Sequence, residues 1–326
     1  MRYVVYGAGA VGGVIGARLH LAGSPTTFVA RGPHLDRIRT AGLVLDTEEG
    51  RLIADAPATD TAAAIDWTDD TVVLLTVKSH QTWAALDDLA AHAPEGTAVV
   101  AAQNGVANEV AILRRFARTY GLCVMLPSTH LDPGVVVQKC HPTPGILDLG
   151  RYPGGTDEVT DLVAADLRAA GFESVPRPDI MAWKHRKLLV NTVGDVSALF
   201  GRGAAATAVA VRVEAEGEAV LAAAGIAVVS AAEDDERRGE VLRMREDVAG
   251  GNSLRQSLTR GLSSEIDYRA GEIVLLGRLH GVPTPANRLV LDTTHGLVRA
   301  SAPRGTLDAA SLLAVLGADP APPNRK

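Results

Sequence analysis

Two stretches of this chain combine residue types at spacings that could do chemistry. The first is Gly7-Ala8-Gly9-Ala10-Val11-Gly12, directly behind the apolar run Tyr3-Val4-Val5-Tyr6. A strand that breaks on glycine and runs into Val14-Ile15-Gly16-Ala17-Arg18-Leu19 has the spacing of a dinucleotide-binding turn. Gly7 permits the tight turn, Gly9 lets backbone approach a pyrophosphate, and Gly12 lets the helix pack close to the sheet. The helix start then offers unpaired N–H groups and a positive dipole end to phosphates. A purely structural glycine turn is the bland alternative, and the strand before and helix behind argue against it.

The second stretch is Lys184-His185-Arg186-Lys187-Leu188-Leu189-Val190-Asn191-Thr192-Val193-Gly194-Asp195. Lys187, Asn191 and Asp195 fall at i, i+4 and i+8, along one helical face. The other faces carry Leu188, Leu189, Val190, Val193, Val196 and Leu199. A helix apolar nearly all round is packed inside its domain, so its polar stripe is expected to line a cleft rather than open water. An ordinary solvent face is the alternative.

Smaller signals gather at expected strand ends. After Thr26 to Ala30 comes Arg31, where an NAD-specific site would place an acidic residue for the ribose hydroxyls. A guanidinium there can pair with a 2′-phosphate, which favours NADP(H); a solvated surface arginine is the alternative. Lys78 follows the run Val72 to Val77, and Gln103-Asn104-Gly105 follows Ala98 to Ala102. Both fall at the sheet edge that carries the glycine loop, where ligands gather in open α/β sheets. Ser263-Ser264-Glu265-Ile266-Asp267-Tyr268 is read as part of a later helix, with Asn252 and Ser253 as N-cap residues and Glu265 as a surface carboxylate when each is taken alone.

These residues need elements to hold them. The first half alternates short apolar runs with helical stretches, as a parallel sheet requires. A hairpin is expected from Leu43 to Ala54, helices over 83–91 and 159–170, and strands around 122–126, 134–139 and 146–149. Two prolines in Val175-Pro176-Arg177-Pro178 interrupt regular structure and set the expected boundary. Beyond it, helices are expected over 180–199, 206–224, 233–247, 254–280 and 286–301. The fold class is thus α/β, a Rossmann-type doubly wound sheet over residues 1–177 and an all-helical domain over 178–317. A disordered tail is expected over 318–326.

Composition bounds the function. The chain has 326 residues, 47% of them hydrophobic and 21% charged, which is ordinary globular composition. The net charge of -6 argues against a protein that depends on neutralising nucleic-acid phosphates. No apolar run approaches a membrane span, and a soluble, cytoplasmic protein is expected. Cys123 and Cys140 suggest neither a disulfide framework nor a metal site, and both are expected buried as small apolar residues.

Taken together, these motifs resemble the ketopantoate reductase (2-dehydropantoate 2-reductase) family, among the 6-phosphogluconate-dehydrogenase-like reductases. The resemblance runs from the glycine loop to Gly281-Val282-Pro283-Thr284-Pro285-Ala286-Asn287, through Arg31, Val77-Lys78, Gln103-Asn104-Gly105, Lys187 to Asn191, Ser253 and Glu265 to Tyr268. It implies a proton donor at Lys187, substrate contacts from Asn104, Asn191 and Ser253, and cofactor or network roles for Lys78 and Glu265. It also implies NADPH/NADP+ as cofactor, a small 2-oxo acid as substrate, and an active site in the cleft between the two domains. The chain departs from the family pattern at Asp195, where a second asparagine is usual, at Ala270-Gly271, where Asn-Gly is common, and at Gly250 and Ser257. An ionised Asp195 on the substrate wall would repel a substrate carboxylate. The expected activity is therefore NADPH-dependent reduction of a 2-oxo acid, with ketopantoate as leading substrate. A same-family reductase of a different ketone, and a non-catalytic NADP(H)-binding sensor, are the alternatives. The apolar helices of the second domain suit a homodimer.

Overall fold

The computed structural model describes residues 1–130, 132–248, 254, 265–300 and 316–317. Its first strand, β1 (Arg2–Tyr6), explains the opening apolar run. Tyr3 and Val5 enter one apolar core while Val4 and Tyr6 enter another on the opposite face. A strand buried on both sides reads as continuous rather than alternating hydrophobicity. The same holds for β6 (Thr71–Leu75), β7 (Ala98–Ala101) and β8 (Thr119–Met125), which are buried along their whole lengths.

With β2 (Thr26–Val29), β5 (Ala58–Thr59) and β11 (Ile146–Arg151), these strands form a seven-stranded sheet in the order β5-β2-β1-β6-β7-β8-β11. Every neighbouring pair is parallel except β8 and β11. The chain moves outward from β1 to β2 and β5, then returns to place β6 on the other side of β1. Such a reversal opens a crevice at the carboxyl ends of β1 and β6, where doubly wound folds bind ligands. The helices α1 (Ala10–Leu21), α2 (Gly32–Ala41), α3 (Thr82–His92), α4 (Asn108–Leu113) and α5 (Glu158–Ala169) connect or cover the strands.

The expected hairpin is present as β3 (Leu43–Thr47) and β4 (Gly50–Ala54), paired antiparallel. It joins β10 (Val135–Gln138) and β9 (Ser128–Thr129) in a second sheet of its own, ordered β4-β3-β10-β9. Leu43, Leu45 and Val136 of that sheet pack into the same core as α1. The hydrophobic pattern does not announce this layer.

The chain divides into two compact units. One is Met1–Lys187 with Val228–Ala249; the other is Leu188–Ala227 with the described part of Gly250–Lys326. The division lies within α6 (Ile180–Phe200), not at the proline segment. Its physical reason is packing: Ile180, Ala182 and Trp183 bury against Cys123, Met125 and Ile146 of the first unit. The segment 228–249 returns to the first unit to meet buried charge. Asp148 is 1% exposed, and Arg237 grips both its oxygens at 2.8 and 2.9 Å while Arg177 donates at 3.1 Å. The second unit is helical, as expected. Val196 and Leu199 of α6 share a core with Val209 and Val213 of α7 (Ala204–Ala223), Val274 of α9 (Ala270–His280) and Val290 of α10 (Pro285–Ala300).

Two expected helices are shorter than the sequence suggests. The 233–247 stretch is helical only as α8 (Ala231–Arg238), ending at Gly239 with φ +40°. The charge-rich α8 has one buried residue, Asp234, so no apolar stripe carries it further. The 254–280 stretch is interrupted at Arg269 (φ -127°, ψ -95°), which separates a 3-10 turn over Ile266–Tyr268 from α9. Residues 255–264 of that expected helix, most of the 301–317 stretch and the 318–326 tail lie outside the described residues. Among the described residues no helix is long and apolar enough to cross a membrane.

Candidate active site

The glycine turn assigns different work to its three glycines. Gly7 has φ +116°, and a Cβ there would come 2.8 Å from the Val77 nitrogen. A Cβ at Gly12 would run into Thr76 Oγ1 and the Gly7 carbonyl, so α1 could not seat against the end of β6. Gly9 differs: its backbone is extended and a Cβ would meet nothing within 4 Å. Two glycines therefore serve the fold, and the third keeps clear the space above the turn. That space faces the first turn of α1, whose N–H groups lack helical acceptors and which carries no acidic residue. The turn fits an anionic group such as a dinucleotide pyrophosphate.

His34 buttresses this turn from below. The Gly134 N–H donates to its Nδ1 at 2.8 Å, so the ring proton sits on Nε2, which donates to the Ala8 carbonyl at 2.7 Å. Burial holds the His34 pKa below its usual value of 6.5; the Ala8 carbonyl opposes that shift, and the His130 ring, centred 4.1 Å away, adds to it. At the end of β2, exposed Arg31 lies within hydrogen-bonding reach of the Tyr6 phenol, whose hydroxyl donates to Asp88 at 2.6 Å. Arg31 thus stands at the carboxyl edge of the sheet, on the β2 side of the glycine turn.

On the other side, a chain of buried amides and hydroxyls ties the Lys78 loop to the Asn104 loop. The Gln103 amide donates to the Val77 carbonyl at 2.8 Å and to Thr82 Oγ1 at 2.9 Å. Thr82 donates to Asn108 Oδ1 at 2.9 Å, and the Asn108 amide donates at 3.2 Å to both Ser79 Oγ and the Asn104 carbonyl. Gly105, at φ +85°, lets the chain turn beside Asn104. Gln103 and Asn108 are buried, whereas Lys78 and Asn104 remain partly open.

Asn104 and Lys187 line one recess. Its walls are the loop Gln103–Gly105, the stretch Leu122–Val124 of β8, and Lys184 and Lys187 from the first turns of α6. Burial pushes the Cys123 thiol up to about 11, against the opposing charges of Lys187 and Lys184, so it stays protonated and inert. Cys123 and Cys140 are both buried, as expected for small apolar residues. Lys184 was not singled out by the sequence reading, nor was its partner Glu109. The Lys184 ammonium lies 2.5 Å from Glu109 Oε1 and donates to the carbonyls of Gln103 (3.0 Å), Leu122 (3.2 Å) and Ala101 (3.3 Å). Among the described residues, no group of His, Cys, Asp and Glu is placed to hold a metal ion.

The remaining candidates belong to the second unit. Asn191 is half-buried on α6, and Glu265 is buried at the start of the 3-10 turn, its carbonyl accepting from the Tyr268 N–H at 3.0 Å. The carboxylate expected at Asp195 has a basic partner. Asp195 is fully buried and accepts from Arg269 Nη1 at 2.6 Å, so its charge is balanced within its own unit. Ser253, with Asn252, Gly250 and Ser257, lies outside the described residues.

Comparison with known proteins gives this arrangement a family. The model described as "Ketopantoate reductase PanE/ApbA" matches residues 3–154, and that described as "Ketopantoate reductase PanE/ApbA C terminal" matches residues 179–298. The chain belongs to the ketopantoate reductase family. Among curated relatives, the 2-dehydropantoate 2-reductase of Mesorhizobium japonicum is 31% identical, with 92% of this chain and 97% of that protein covered. The enzyme of the same name from Pyrococcus horikoshii is 28% identical over 89% of this chain and 95% of its own length. Among solved structures, the PanE/ApbA family ketopantoate reductase of Ralstonia eutropha is 27% identical, with a TM-score of 0.79 and coverage of 92% and 99%. Membership of the ketopantoate reductases makes the chain an oxidoreductase built on a Rossmann-type domain and a helical domain.

Proposed function

We propose that this ketopantoate reductase family member catalyses NADPH-dependent reduction of a 2-oxo acid to the 2-hydroxy acid, converting ketopantoate to pantoate, as in pantothenate biosynthesis. The observation that carries the reading is the shared recess: Lys187 and Asn104 face the same space at the sheet edge that carries the glycine turn. Gly7 to Gly12 and the start of α1 would hold the pyrophosphate, Arg31 the 2′-phosphate, and Lys78 would assist from the neighbouring loop. A nicotinamide cofactor held there would supply the hydride.

The chain's own residues handle the oxygen. As charge builds on the substrate carbonyl, the Lys187 ammonium stabilises it and donates a proton from Nζ, an effect typically worth about 10² to 10⁴ in rate. Asn104 can donate its amide to the same carbonyl or accept from the product hydroxyl. The family resemblance assigns substrate contacts to Asn191 and Ser253 and a network role to Glu265. Ketopantoate leads among the 2-oxo acids through family membership, and charge no longer argues against it. A lone carboxylate at 195 would disfavour an acid substrate, and its pairing with Arg269 at 2.6 Å removes that conflict. The test is oxidation of NADPH against a panel of 2-oxo acids that includes ketopantoate. Ketopantoate is expected to show the highest kcat/KM; a silent ketopantoate beside an active alternative would reassign the substrate.

A further inference from the structure

The two lysines of the recess have unlike surroundings. The Lys184 side chain is 2% exposed and that of its partner Glu109 is 0% exposed. An ammonium has three N–H donors, and here they are shared among the Ala101 carbonyl at the end of β7, the Gln103 carbonyl in the loop behind it, the Leu122 carbonyl in the middle of β8, and a carboxylate from α4. Burying such a pair is a poor route to stability, because apolar side chains of similar volume usually do as well or better. What the pair supplies is placement.

Two of those placements bear on the reaction. The Gln103 carbonyl belongs to the peptide that leads directly into Asn104, so its bond to Lys184 fixes the plane from which the Asn104 side chain departs. Lys184 also stands three residues before Lys187, on the same side of α6. Anchoring Lys184 to β8 and to the end of β7 with its following loop therefore sets the rotation and depth at which Lys187 enters the recess. Glu109 extends the clamp to α4, which begins at Asn108, the residue whose amide holds the Asn104 carbonyl at 3.2 Å.

We propose that the buried Lys184–Glu109 pair is a positioning device for the reduction, holding Asn104 and Lys187 in register without touching substrate. This rests on the reading of Lys187 as proton donor. The test uses the full-length chain with the double variant Lys184→Met/Glu109→Gln, which removes both charges so that neither is buried alone. Thermal unfolding, NADPH affinity, and kcat and KM for the 2-oxo acid are read for each protein, with kcat normalised to NADPH-binding sites. The expected result is NADPH affinity within about twofold of the parent and kcat lowered about 10²-fold, the scale of roughly 1 Å of misplacement. A folded double variant whose kcat stays within about twofold of the parent overturns the proposal, since a merely structural pair would not move turnover per binding site. Should the double variant not fold, Lys184→Arg and Glu109→Gln decide. Each is expected to lose about tenfold or more in kcat with NADPH affinity kept, and parent-like turnover in both overturns the proposal. Lys187→Ala is measured beside them. Retained turnover there refutes the donor reading, whereas its loss beside unaffected pair variants refutes only the positioning role.

Discussion

Replacing Gly9 with alanine separates the two kinds of work done by the glycine turn. The Gly9 backbone (φ -72°, ψ -157°) is open to an alanine, and the added methyl would meet no protein atom within 4 Å. Losing chain entropy in the unfolded state favours the variant by about 0.4 to 1 kcal/mol, while alanine is a poorer N-cap than glycine by about 1 kcal/mol. The two nearly cancel, so Tm should move by less than about 4 °C. Ligand binding has no such compensation. A methyl above the turn pushes an anion away from the α1 N–H groups and costs one charge-assisted hydrogen bond, about 1.5 to 3 kcal/mol. NADPH affinity should therefore fall about 10- to 100-fold, read by fluorescence titration beside a thermal melt. Gly12→Ala is the contrasting variant and should lose stability, because its methyl meets Thr76 Oγ1 and the Gly7 carbonyl. Unchanged NADPH affinity in a folded Gly9→Ala protein would refute the assignment of the turn to the pyrophosphate.

Arg31→Asp should weaken NADPH far more than NADH in parallel titrations, and an unaltered preference would remove the 2′-phosphate role. Asp195→Asn leaves the buried Arg269 guanidinium facing a neutral amide and should cost about 3 kcal/mol of stability in denaturant titration, with much of it regained in Asp195→Asn/Arg269→Met. A neutral Asp195→Asn would show that the ion pair is not formed in solution. His34 gives a pH prediction. Its folded-state pKa lies below 6.5, so the unfolded chain takes up the proton more readily. Its contribution to stability is full above pH 6.5 and is lost as the pH falls below that value. His185, lowered by burial in the same direction, adds to the slope. His34→Gln should flatten, without abolishing, the decline in chemical stability between about pH 7 and pH 5.5, and an unchanged slope would contradict the buried neutral ring.

Much of the framework is legible in the sequence because it is encoded locally. The run Tyr3 to Tyr6 and its glycine break mark β1 and the turn, and the apolar surround of α6 marks a helix expected over 180–199 and observed as Ile180–Phe200. The same locality places Arg31, Lys78 and Asn104 at one sheet edge before any contact is known. What is not legible depends on partners far along the chain. Nothing near Lys184 announces Glu109, nothing near Asp195 announces Arg269, and His34 reaches Gly134 only through the second sheet. The helix interruptions at Gly239 and Arg269 are missed for a related reason. Charged, helix-compatible residues continue past Gly239, where tertiary bonds such as Arg245 to Asp46 at 3.1 Å hold the chain in another course, and helix formers likewise flank Arg269.

The comparison that bears most directly on this mechanism is between the parent protein and Lys187→Ala, with ketopantoate turnover and NADPH affinity measured on the same preparations. A lysine that acts on the carbonyl oxygen predicts turnover reduced by about 10² to 10⁴ with NADPH affinity nearly intact. Loss of both in equal measure, or turnover that survives the substitution, would contradict it.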